Sequence, residues 1–119
     1  MSPARGARRK PPASLRFYLS PELQERLEAV LARIEGSKDA RRHHVEFSET
    51  VVALVAEGLD YYILRTVKTA KAGFILEQTA AIGIVGVKQV LGPLVPKIAG
   101  RMDHEQLRSV AATIRELMV

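Results

Sequence analysis

The chain contains no cysteine and no tryptophan. The first absence excludes disulfides, thiol nucleophiles and cysteine-bound zinc. Aromatic residues make up only 5% of it, which argues against base-stacking platforms for RNA or single strands. No glycine-rich phosphate loop or G-x-S-x-G elbow occurs, and no spaced pair of carboxylates falls in a plausible cleft, so the expectation is a protein that is not an enzyme. Histidine is sparse: His43 and His44 are neighbours whose side chains should point apart, and His104 lies far along the chain. No metal and no cofactor is therefore expected. An apolar signal core is missing from the N-terminus, which predicts a cytoplasmic location.

What is present is positive charge concentrated at one end. The formal net charge is +5. Arg5, Arg8, Arg9, Lys10 and Arg16 are the only charged side chains before Glu22, and the remaining 13 basic residues match the 13 acidic ones. Such a terminus suits a polyanion, with double-stranded DNA the first candidate and the nucleoid the place to meet it. Residues 1–13, "MSPARGARRKPPA", hold almost nothing to bury and read as a disordered basic arm. Its Arg8, Arg9 and Lys10 are candidate phosphate contacts.

Behind the arm, Ser14 to Leu19 alternate strictly: Leu15, Phe17 and Leu19 on one side, Ser14, Arg16 and Tyr18 on the other. The pattern predicts a short strand. Ser20-Pro21 then supplies an N-cap and a proline at the first helical position. Leu23, Leu27, Val30, Leu31 and Ile34 form one face of the helix that follows, and Gly36 stops it. After a polar connection, Ser48 reads as the cap of a second helix to about Ile63. Val51, Val52, Leu54, Val55, Leu59, Tyr62 and Ile63 spread its apolar residues around most of its circumference. A lone strand needs a partner for its backbone groups. The same strand of a second copy would supply one, in an antiparallel ribbon with two-fold symmetry. The dimer core would then hold Leu15, Phe17, Leu19, Leu27, Val52, Val55 and Leu59, and a two-stranded ribbon fits the major groove.

Those pieces, "ASLRFYLSPELQERLEAVLARI" and "FSETVVALVAEGLDYY", resemble the ribbon-helix-helix (MetJ/Arc/CopG) superfamily of DNA-binding proteins over about residues 13–64. The resemblance implies a mostly α chain with one short β-strand, dimeric through an intermolecular β-ribbon. It implies base contacts from Ser14, Arg16 and Tyr18, and a backbone phosphate held at the start of the second helix by Ser48, Glu49 and Thr50. Free helix-start amides do favour an anion, although Glu49 places a carboxylate beside that site. The connection between the helices is longer than the family's usual turn, and its Arg41 and Arg42 are candidates for further phosphate contacts. Sequence-specific DNA binding follows from the resemblance, in transcriptional repression or in plasmid or mobile-element maintenance.

The expected organisation is an arm at 1–13, a DNA-binding domain at 14–64 and a helical region at 65–119. Within the last, residues 72–92 are strongly apolar, and Pro93 and Pro96 should break whatever precedes them. Their length approaches that of a membrane span, but Glu77, Gln78 and Lys88 interrupt the run and weigh against insertion. The apolar stretch reads as an association surface that joins dimers into a tetramer or holds a protein partner. Asp103 and Gln106 form a capping box that opens a final helix to about Met118. Two alternatives stand beside the regulator: an antitoxin whose C-terminal half binds a protein toxin, and a helical assembly or membrane-associated protein without a DNA site.

Overall fold

The computed structural model describes residues 16–118. Helix α1 spans Pro21–Gly36, α2 spans His44–Leu59, α3 Arg65–Thr69, α4 Phe74–Ala99 and α5 His104–Leu117. A 3₁₀ turn at Ala40–His43 leads into α2, and a π-helical turn at Asp60–Leu64 joins α2 to α3 without a break. The helical rod therefore runs continuously from His44 to Thr69, through the position where a domain boundary was expected.

No strand occurs among the described residues, so the expected β-ribbon is absent and the ribbon-helix-helix architecture is overturned. Residues 16–20 are irregular and unpaired, with Ser20 in an extended conformation. The alternation of side chains is still there: Arg16 and Tyr18 are exposed, and Phe17 and Leu19 are half-buried. Alternating burial alone does not make a strand, because a ladder also needs a partner backbone. Here the Ser20 amide is satisfied by a side chain on α2 instead. Ser14 and Leu15 lie outside the described residues, as do Arg8, Arg9 and Lys10.

One compact core organises the chain. Leu27, Val30, Leu31 and Ile34 of α1 pack with Ala40, with Phe47 of α2 and with Leu107 and Ala111 of α5. The buried residues of α1 are the five that its spacing selects, Leu23 being the fifth. The helix is tied outward by ion pairs, Arg33 with Glu46 on α2 and Glu35 with Arg115 on α5. In the latter pair Arg115 Nε and a second guanidinium nitrogen donate to the carboxylate at 2.8 and 3.0 Å. The hydrogen bonds from Arg115 hold the Glu35 carboxyl below its ordinary range. Asp103 caps α5 in the expected reciprocal box with Gln106, at 2.8 and 2.9 Å.

Helix α4 stands apart from that core and packs along α2 and its continuation. Gly73 precedes it with φ of 104°, a left-handed conformation that glycine adopts without a Cβ penalty. The helix does not break at Pro93 or Pro96 but runs through both to Ala99. Pro93 is exposed and Pro96 half-exposed. Carbonyls that lose an N–H partner on such a surface can turn to water, which lowers the cost of the interruption.

Candidate functional site

The geometry around residues 16–20 starts from Ser20. Its hydroxyl accepts from the Leu23 amide at 3.3 Å and caps α1. The same hydroxyl donates to Glu57 Oε2 at 2.6 Å, and the Ser20 amide donates to Glu57 Oε1 at 3.0 Å. One carboxylate on α2 thus grips the end of the segment through both oxygens.

Three residues earlier, Phe17 packs on the π-helical turn. Its ring lies 5.7 Å from that of Tyr62, edge-on, and 5.9 Å from that of Tyr61. Gly58 permits this approach: a Cβ there would meet the Phe17 ring at 3.3 Å. The Arg65 guanidinium sits 4.8 Å above the Tyr61 ring, within the range of a cation–π contact. An extra residue in a helical turn often marks a functional feature. Here the widened turn carries the two tyrosines that seat Phe17.

This arrangement leaves Arg16 and Tyr18 outermost, Tyr18 with 96% of its surface exposed. They follow the basic run in the sequence. Neither the Glu57 anchor nor the aromatic seat was legible in the sequence. The first joins residues 37 apart, and the second depends on a π-helical turn that no local pattern announced.

The other expected contacts are dispersed. The phosphate site at Ser48, Glu49 and Thr50 is not formed, because α2 begins at His44 and these residues lie in its second turn. Amides there are committed to i→i−4 bonds. Ser48 and Thr50 are buried and their hydroxyls donate back to the carbonyls of His44 and Glu46, at 2.6 and 2.9 Å; Glu49 is exposed. Arg41 pairs with Asp39 through Nε at 3.2 Å. The hydrogen bond from the Arg41 side chain pushes the Asp39 carboxyl below its usual value, and its amide adds to this. Arg42 is exposed beside it. Both follow the C-terminal end of α1, whereas residues 16–20 precede its N-terminal end, and 16 helical residues separate those ends by about 24 Å.

The expected dimer core is likewise divided. Leu27 belongs to the core of the single chain and Leu19 packs against it. Val52 and Leu59 are half-buried, and Val55 is exposed. His104 does not approach His43 or His44 as a ligand set; its Nδ1 accepts a hydrogen bond from the Ala40 amide at 2.8 Å. Among the described residues no group of three or more His, Asp or Glu side chains could hold a metal ion. Comparison with protein-family models, with curated proteins and with solved structures finds no match to this chain.

Proposed function

We propose that this protein binds double-stranded DNA as a regulator, through its basic N-terminal segment and the exposed side chains that follow it. The observation that carries the reading is the position of the charge. The entire positive excess lies in residues 1–16, and it ends at an outward Arg16 and Tyr18 held by the Phe17 and Ser20 anchors. A segment rich in Arg, Pro and Gly can follow a DNA groove, with arginines neutralising phosphates and narrow minor grooves attracting them further. In this reading Arg16 and Tyr18 sit where the segment meets the helical body, so they approach the same groove in a fixed register. No β-ribbon is involved.

The test is fluorescence anisotropy of a labelled duplex over a range of salt concentrations. Removal of residues 1–12 takes away four positive side chains and should flatten the slope of log K against log salt by roughly 3–4 units. Arg16→Ala should reduce the slope by about one more unit and weaken discrimination among sequences recovered by selection from random duplexes. A chain that fails to bind duplex DNA at low salt, or that binds anionic lipid vesicles more tightly than duplex, overturns the proposal.

A further inference from the structure

Two open cavities on the surface differ in the charge of their walls. The one between α1 and α2, of about 310 Å³, has Glu22, Glu25 and Glu46 in its wall beside Arg26 and Arg33. Carboxylates there answer the cations, and Arg33 is already paired with Glu46. The other, of about 510 Å³, is formed by Tyr61, Tyr62, Arg65, Thr66, Thr69 and Ala70. Its wall holds a cation and no carboxylate. Residues 61–76 contain no acidic residue, yet they contain Arg65, Lys68 and Lys71, all three exposed. Among the described residues, none of the three is paired with a carboxylate.

The groups around this second cavity suit an oxyanion. The Arg65 guanidinium lies 4.8 Å from the centroid of the Tyr61 ring. A guanidinium laid on an aromatic face is held in place while the N–H groups on its edge stay available, and their fork matches phosphate. The Thr66 hydroxyl donates to the Tyr62 carbonyl at 2.8 Å and is spent on its own helix. Thr69 and the two tyrosines bring further hydroxyls to the same wall, each able to donate. Lys68 follows Arg65 by three residues, the spacing at which helix side chains are neighbours.

The position of the cavity ties it to the basic terminus. Tyr61 and Tyr62 wall the cavity and also seat Phe17, at 5.9 and 5.7 Å. The residue before Phe17 is Arg16, the last of the five cations ahead of Glu22. A polyanion drawn to that segment therefore meets the same pair of rings. We propose, building on the reading of the protein as a DNA-binding regulator, that this cavity seats a phosphate of the DNA backbone against Arg65. Phosphate contacts fix the register of a protein on a duplex. Arg65 stands on the helical rod, so it supplies a folded contact beside that of the N-terminal segment, and the anchored Phe17 relates the two.

Fluorescence anisotropy of the full chain with a labelled duplex tests the contact, using Arg65→Gln and Arg26→Gln as a matched pair. Each removes one exposed positive charge, but Arg26 lines the cavity whose wall holds three carboxylates. Both variants should keep the helical circular dichroism of the parent. Arg65→Gln should weaken binding by about tenfold. It should also lower the slope of log K against log salt by about one unit, to the same extent for every duplex sequence. Arg26→Gln should leave affinity and slope nearly unchanged. Arg65→Lys, which keeps the charge without the planar fork, should recover the slope but only part of the affinity. Equal losses, or no loss, in the Arg65→Gln and Arg26→Gln chains would overturn this contact and leave the DNA reading standing. A parent chain that binds no duplex at low salt overturns both. Phosphatidylserine vesicles held more tightly than duplex, in a manner lost with Arg65→Gln, would give the cavity to a lipid headgroup and overturn it as well.

Discussion

Helices α1 and α4 treat apolar residues in opposite ways. In α1 five apolar residues on one face are all buried, and four of them pack with α2 and α5. In α4 apolar residues surround the helix, yet two of 26 are buried. A narrow stripe on a charged helix specifies where the helix must sit, because only one orientation removes it from water. An apolar surface that continues around the helix exceeds what one neighbour can cover, and α4 has essentially one neighbour, the rod of α2 and its continuation. Apolar content alone is therefore a poor guide to the core of this chain.

The sharpest way to break the contrast is to shorten one side chain in each helix. Leu31→Ala, at a fully buried position, should lower unfolding free energy by about 2–5 kcal/mol in urea titrations. Val90→Ala, at a position 63% exposed, should change the stability of dilute protein by less than about 0.5 kcal/mol. Comparable losses in the two variants would mean that α4 is as deeply buried as α1.

The link between α5 and the turn after α1 comes next. His104→Ala leaves the amide of buried Ala40 without its acceptor, at a cost of about 1–3 kcal/mol. Amide exchange at Ala40 should rise with it. Ser20→Ala removes the cap of α1 and one of two hydrogen bonds to Glu57, for about 1 kcal/mol. Its Tyr61 and Tyr62 signals should shift as Phe17 loosens, and an unchanged tyrosine environment would detach the anchor from the aromatic seat.

The smallest effect concerns acid. Glu35 has a carboxyl held below its ordinary value of 4.5, first by hydrogen bonds from Arg115. Its contribution is complete above about pH 4.5 and is lost as the pH falls through the lower folded-state value. Glu35→Gln should therefore weaken the folded state slightly at neutral pH and make the acid limb of the stability curve shallower. Equal acid sensitivity in the variant and the parent would show that the pair contributes nothing there. The pair is partly exposed, so added salt should shrink the difference.

Several features were legible because their causes are local. Ser20-Pro21 starts α1, the Leu23 to Ile34 spacing buries its face, and Asp103 with Gln106 starts α5. Ser48 misled for the same reason: a serine ahead of an apolar run reads as a cap. The preceding His44–Phe47 turn instead belongs to the helix, and Phe47 enters the core. Its hydroxyl then bonds back to the His44 carbonyl, a use open to serine in a helix interior as well. The alternation from Arg16 to Leu19 correctly separated exposed from half-buried side chains but not the backbone state, since pairing is a property of two segments.

The amino-acid sequence by itself determined the charge asymmetry, the buried face of α1, the capped start of α5, and an apolar excess in residues 72–92. These follow from composition and from periods within one helix. Tertiary structure alone decided that Glu57 grips Ser20, that Tyr61 and Tyr62 seat Phe17, and that α4 passes through two prolines with most of its apolar surface uncovered. Each of those depends on groups distant in the chain meeting at a few ångströms, or on a surface finding no neighbour, and neither is written in any local stretch.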